Sequence, residues 1–570
     1  MEPTLKTAAA GGAPPRFRRV ALATAAAAVV VATAVPAAAT TTATTASWQD
    51  VVVSGSTADG AARAVTVAGG RVLASLPVVG GVAARLPQGA ALGPEWNVAP
   101  QRELRVASTP GSATSADVST VRQTLGLPEN GNEGRGVTVA VMDTGIADVP
   151  DLAGQVSDRV DMTGTGGGDG FGHGTFMAGL IAGSGAASGG AYRGVAPGAK
   201  LVDVKVADAE GSTDLITVLK GLQWVDEHSR QVDVLNLSLS SNSPLPYQID
   251  PLTQGLEALW RRGVTVVVPS GNDGPGAGTV TSPGNDPMLL TVGGVDESGT
   301  AGHGDDVVGT WSGRGPTWQG DAKPDLAAPG GHVVSLRSPG SVVDSANPQA
   351  RVGDGYFRGS GTSMATAVTS GVVAATLEVA PRLRPDSIKS LFTATTYDAP
   401  GLTRKAGAGA GGLDAGRALT AAPGWRTSAS QAQYDRDTVS VGRDAKRWAA
   451  LENAVLRGDA TAAADAWNKL SPESRDWAAR SWAQLDPAAR SWAARSWAAR
   501  SWAGAGEEWA ARSWAARSWA ARSWAGSDWA ARSWAARSWA ARSWADAEWA
   551  ARSWASETWS ARSWAWLTQE

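Results

Sequence analysis

Asp143, His173 and Ser363 are the residues whose types and settings suit acyl transfer. A serine hydroxyl is a weak nucleophile until a general base takes its proton, and that base needs a carboxylate to orient it. Asp143 closes the apolar run VTVAVM and leads into the turn Asp143-Thr144-Gly145. His173 lies in FGHGT, where flanking glycines let a substrate backbone come close. Ser363 lies in GSGTSMA, just ahead of the helical Ala/Val run Ala365–Leu377. Asn272, in VVVPSGNDG, follows another apolar run. With the Ser363 backbone N–H it offers donors to a tetrahedral oxyanion. Singly, each has a plain structural explanation: a loop histidine, a turn asparagine, a helix-capping serine. Of the other histidines, His228 and His332 are not flanked by glycine on both sides, whereas His303, in AGHGD, has the same flanking glycines. It is the conjunction, in the order Asp, His, Ser, that points to a nucleophile, its base and an orienting acid.

These residues are far apart in sequence, so a frame must gather them. Val137–Met142 is an apolar run, and Leu201–Val206, Val232–Leu239 and Val264–Val268 are similar Val/Leu-rich runs, as expected of strands buried on both faces. Helical patterns over Asp214–Glu227 and Gln254–Arg261 alternate with them. The expected fold is α/β: a doubly wound, mostly parallel sheet over residues 116–422, with helices on both faces and the site at the carboxyl ends of the strands. A smaller α+β unit precedes it, within 40–115. There Val51–Val53, Ala64–Val67, Val72–Leu76 and Gly81–Leu86 read as strands, with Gly69-Gly70 as a hairpin turn. Residues 108–119 read as an exposed linker. Residues 423–476 read as a helical linker, followed by a repeat over 477–570.

The segments VTVAVMDTGI, GHGTFMAG, GVAPGAKL, NLSLSS, VVPSGND and GTSMATAVTSG resemble the signature blocks of the subtilisin-like serine peptidases, in that family's order. The resemblance implies an endopeptidase working through an acyl-enzyme on a polypeptide substrate. Asp143, His173 and Ser363 would be catalytic and Asn272 the oxyanion donor. Ser238-Leu239-Ser240 resembles the family's substrate-binding strand, Gly211-Ser212-Thr213 the opposite edge segment, and Gly271 belongs to the same block as Asn272. The small N-terminal unit resembles an inhibitor-type propeptide that assists folding and is cut off, within about residues 106–120. Four positions depart from the family pattern: Ala367 for Pro, Phe176 for a second His, and Ser240 and Ser241 for Gly-Gly. The last two imply a narrower first specificity pocket. No cofactor is required by this chemistry. Structural calcium, as in many relatives, is an expectation, with Gly304-Asp305-Asp306 and Asp151–Asp161 as the acidic loops considered.

Composition narrows the rest. Cys is absent, which excludes disulfide scaffolds, thiol nucleophiles and cysteine metal sites. Lys plus Arg is 50 against 53 Asp plus Glu, a net charge of −3 that argues against nucleic acid as a partner. Arg16, Arg18 and Arg19, the apolar run Val20–Val35 and Ala37-Ala38-Ala39 have the order of a cleaved export signal (1–39), hence a secreted or cell-surface protein. Trp is the anomaly: 27, against 5 Tyr and 5 Phe. From Trp509 to Trp564 one recurs every five residues in W-A-A-R-S units, and Glu508, Asp528 and Glu548 stand 20 apart. A five-residue step advances about 140° net around a helix, so the Trp residues form no single stripe. Helical segments are favoured, with a solenoid of 20 residues per coil as the other reading. The Trp/Arg composition suits contact with the cell envelope. A second functional reading is therefore a surface interaction protein whose peptidase domain serves only its own maturation.

Overall fold

The computed structural model describes residues 47–470, apart from 91, 94, 107–108, 111–119, 129–130, 242, 244, 318–319, 427–446, 449, 452–453 and 455–459. The expected export signal and the Trp/Arg repeat lie outside the described residues. Among those described, no helix is long and apolar enough to cross a membrane.

The small N-terminal unit is β1 (Trp48–Ser54), α1 (Ala58–Val67), β2 (Arg71–Leu76), β3 (Gly81–Pro87) and β4 (Asn97–Pro100). Its strands form an antiparallel sheet in the order β2-β3-β1-β4. The strand expected over Ala64–Val67 is instead the second half of α1. Thr57 caps this helix by accepting from Gly60 N at 3.1 Å, and Asp59 sits in the first turn. Ala61 and Val65, four apart, turn one face onto the sheet. Gly69-Gly70 thus closes a helix rather than a hairpin, with Gly70 N donating to Val65 O at 2.8 Å.

Strand alternation gives this sheet two buried faces. Val51 and Val53 join Ala61, Val65, Val82 and Leu86 in the unit's own core, under α1. Val52, Leu76, Val79 and Ala83 belong to the core of the large unit. The chain then runs through β5 (Glu103–Val106), β6 (Thr109–Pro110) and the short α2 (Val121–Thr124). Two residues of the expected linker, Thr109 and Pro110, are therefore in a strand.

The large unit begins with β7 (Thr138–Asp143), β8 (Val156–Asp161), α3 (His173–Ala182), β9 (Lys200–Lys205), β10 (Ser212–Asp214), α4 (Leu215–Glu227), β11 (Val234–Leu237), β12 (Leu239–Ser240) and α5 (Pro251–Arg262). It continues with β13 (Thr265–Pro269), β14 (Leu290–Asp296), β15 (Val307–Val308) and β16 (Leu326–Pro329). The sheet order is β15-β14-β13-β11-β7-β9-β8, with β16 also on β14. Every pairing is parallel except β14 with β15. Then come β17 (Val333–Leu336), α6 (Val342–Ala346), β18 (Arg351–Val352), β19 (Tyr356–Ser360), α7 (Thr362–Val379), α8 (Pro385–Ala394) and α9 (Ala415–Ala421). Strands β17, β18 and β6 flank β19 in a second, antiparallel sheet. Helices α3 and α7 pack together against the main sheet, and α4 packs on α5. A mostly parallel sheet with flanking helices is the expected α/β architecture.

A later helix, Ala460–Lys469, falls in the segment expected to be helical. Trp448 and Trp467 are fully buried in the main core.

Candidate active site

The site lies where three central strands end. Asp143 is the last residue of β7, Ser238 follows β11, and Asn272 lies just past β13. Carboxyl ends of parallel strands open onto one crevice, and two helix starts face it. His173 is the first residue of α3 and Ser363 the second of α7.

Asp143 and His173 meet in a buried pair. His173 Nδ1 is 2.8 Å from Asp143 Oδ1 and 2.9 Å from Oδ2. Asp143 Oδ1 also accepts from Thr144 N at 2.8 Å. The imidazole is thereby fixed through Nδ1, and Nε2 is buried with no hydrogen-bond partner. Ser363 Oγ donates to the Ser238 carbonyl at 3.4 Å, and Ser238 Oγ donates to the Ser363 carbonyl at 3.4 Å. Both bonds are long. Asn272 Oδ1 accepts from Thr362 N and Thr362 Oγ1, each at 2.9 Å. That anchors the amide to the residue before Ser363 and directs its nitrogen the other way.

The loop before His173 is held by a residue that the sequence reading missed. Asp169 is buried. Its carboxylate accepts from Gly172 N (2.6 Å), Thr175 N (2.8 Å) and Thr144 Oγ1 (2.8 Å). Thr144 Oγ1 in turn accepts from Gly174 N at 2.9 Å. One carboxylate therefore ties the start of α3 to the end of β7. Burial raises the pKa of Asp169 despite these bonds. The approach is close enough to require glycine: a Cβ on Gly174 would stand 2.1 Å from Gly145 O. An acid four residues before a glycine-framed histidine was the available signal.

The two expected substrate edges are both present, and a strand lies between them. β5 pairs antiparallel with β10 (Leu104 opposite Thr213, Arg105 opposite Ser212) and with β12 (Val106 opposite Leu239, Arg105 opposite Ser240). Leu104 is buried in the large unit's core. Gly211 has φ +72° and packs its backbone on the Phe171 ring, 2.7 Å from an added Cβ. Gly271 has φ +95° and lies against Thr281. Beyond Ser363, β6 pairs with β19, Thr109 opposite Ser360 and Pro110 opposite Gly359.

The acidic loops have internal partners. Asp306 accepts from Tyr397 OH at 2.6 Å. Asp151 accepts from Ala187 N at 2.9 Å and from Tyr356 OH at 2.5 Å. Asp161 accepts from Thr163 N at 2.7 Å and Gly166 N at 2.8 Å. Among the described residues, no group of three or more His, Asp or Glu is disposed to hold a metal ion.

With this geometry in view, comparison with known proteins is informative. A family model described as the Subtilase family matches residues 134–409. The serine protease AprX of Bacillus subtilis is 44% identical over 269 residues, 45% of this chain and 61% of that protein. Subtilisin Savinase of Lederbergia lenta is 35% identical over 253 residues, 43% of this chain and 77% of that protein. The match thus spans less than two thirds of the Bacillus relative. Among solved structures, fervidolysin from Fervidobacterium pennivorans, a keratinolytic enzyme related to subtilisin, superposes with a TM-score of 0.51. It is 23% identical, with 66% of this chain and 61% of that chain covered, a likeness of fold.

Proposed function

Since this chain belongs to the subtilase family, we propose that it is an exported serine endopeptidase made as a self-inhibited precursor. In this reading His173 Nε2 takes the proton of Ser363 Oγ as that oxygen attacks the scissile carbonyl. Asp143 holds the imidazolium that forms. The Asn272 amide and the Ser363 backbone N–H bind the oxyanion. His173 then protonates the leaving amine, and water hydrolyses the acyl-enzyme by the same steps. A turn of the Ser363 side chain away from the Ser238 carbonyl brings Oγ to the base.

The observation that carries the reading is β5, which lies between β10 and β12 as an extended peptide would. Strand addition of this kind makes backbone contacts general and leaves selection to side-chain pockets. β5 ends at Val106, opposite Leu239, the neighbour of Ser238, which is bonded to Ser363. With β6 on the far side of the nucleophile, the bond cut in maturation is Ala107–Ser108. An alanine there agrees with the small first pocket implied by Ser240-Ser241. The unit before β5 then acts as the enzyme's own inhibitor.

The test is hydrolysis of casein by the purified full chain and by Ser363→Ala and His173→Ala. The wild type is expected to digest it, and each variant to lose activity by about 10⁴-fold or more. A wild type without activity, or a Ser363→Ala variant as active as wild type, contradicts the proposal.

A further inference from the structure

Arg102 is a buried cation just before β5, the strand that lies in the substrate crevice. It is 8% exposed, and its Nη2 donates to Oδ1 of fully buried Asp250 at 2.5 Å. Maturation separates the pair. Arg102 leaves with the small unit, whereas Asp250 caps α5 and stays with the large one. The far end of the crevice then keeps a carboxylate that had been filled by a basic side chain.

The large unit also keeps the backbone donor that holds Arg102. β5 pairs with β10 as far as Glu103, opposite Asp214. One residue further, the Arg102 carbonyl accepts from Leu215 N at 3.0 Å. Leu215 opens α4, so its N–H has no partner within the helix. Alternate residues of an extended chain point the same way. Arg102 and Leu104 are both buried, and Glu103 between them is exposed. On the buried side Asp250 Oδ1 accepts from Leu252 N at 3.0 Å, and Oδ2 accepts from Ser282 Oγ at 3.1 Å. Both of these donors belong to the large unit, so the carboxylate is held in place with or without a cation. The contact to Arg102 runs through Nη2 and leaves Nε buried without a partner. It therefore calls for positive charge more than for a planar fork.

We propose that Asp250 and the Leu215 N–H form a subsite of the mature enzyme for an arginine or lysine, at the sixth substrate residue before the scissile bond. The Leu215 N–H takes the carbonyl of that residue, and Asp250 takes its side chain. The proposal rests on the endopeptidase reading and on cleavage at Ala107–Ser108, which makes Arg102 the sixth residue. A neutral side chain there gains nothing from the carboxylate, and an acidic one is repelled by it.

The experiment uses the matured full chain and internally quenched peptides with the sequence of residues 101–112, carrying Arg, Lys, Ala or Glu at the place of Arg102. Mass spectrometry of the products identifies the bond cut. The Arg and Lys peptides should be cut about 10-fold or more faster than the Ala peptide in kcat/KM, and the Glu peptide more slowly than Ala. In Asp250→Asn, whose side-chain oxygen can still cap α5, the Arg-to-Ala ratio should fall to about one. The wild-type ratios decide the matter even if that variant fails to mature. Equal rates at the Ala–Ser bond, from an enzyme that digests casein, would overturn the subsite alone, as would an Arg-to-Ala ratio that survives in Asp250→Asn. Peptides cut elsewhere, or left intact by an enzyme that digests casein, would overturn the cleavage register and the subsite together. A chain that cuts neither peptides nor casein would overturn the endopeptidase reading itself.

Discussion

The small antiparallel sheet and the large parallel sheet bury their faces in different ways. The large sheet is covered by helices of its own unit, so its central strands β7 and β13 are buried almost throughout. The small sheet has one face under α1 and gives the other to the large unit. Val78 N donates to Gln223 Oε1 of α4 at 2.8 Å, and Val79 lies against Gly255 of α5. One face of the small unit's sheet is thus covered only while it stays docked. The difference agrees with the proposed role of the small unit as a part that is later released.

The contrast is open to attack from both sides. The largest effect is expected from Val52→Asp, which buries an unpaired carboxylate between the units, a cost of several kcal/mol. The small unit should come away from the large one, and limited proteolysis should degrade it. Val53→Asp strikes the small unit's own core instead and should unfold that unit. Near-UV circular dichroism of the separately expressed 47–106 segment with the two changes distinguishes them. Arg102→Ala comes next. Arg102 is paired with fully buried Asp250, the capping residue of α5, at 2.5 Å. Removing one partner of such a pair costs about 3–5 kcal/mol. Inhibition of the mature enzyme by added 47–106 segment should weaken accordingly, read as a higher Ki.

The smallest effect belongs to the large unit alone. Burial pushes Glu297 up from 4.5 to about 8, and its Oε2 has no partner. A carboxyl raised in this way gives stability that is fully present below about pH 4.5 and is lost as pH rises through about 8. Glu297→Gln should flatten the fall of Tm between pH 5 and 8, with or without the small unit, whereas an unchanged slope would contradict the assignment.

Much of this was legible in sequence where chemistry and burial coincide. The runs ending at Asp143 and Pro269 announced buried parallel strands because one β-branched Thr, and no charge, interrupts each. The four chemical residues stood out by their glycine settings. Helix α1 was misread because Val65 and Val67 are β-branched, and tertiary packing on β3 outweighed that local preference. Asp169 was missed because it sits in a glycine-rich loop with no periodicity. The strand role of Thr109 and Pro110 depends on β19, some 250 residues away.

The most direct measurement is the N-terminal sequence and intact mass of the purified wild type beside Ser363→Ala. The wild type is expected to begin at Ser108, and the variant to keep residues 47–107 attached. A wild-type start outside 107–109, or a Ser363→Ala chain cut at the same bond, would contradict the proposed maturation.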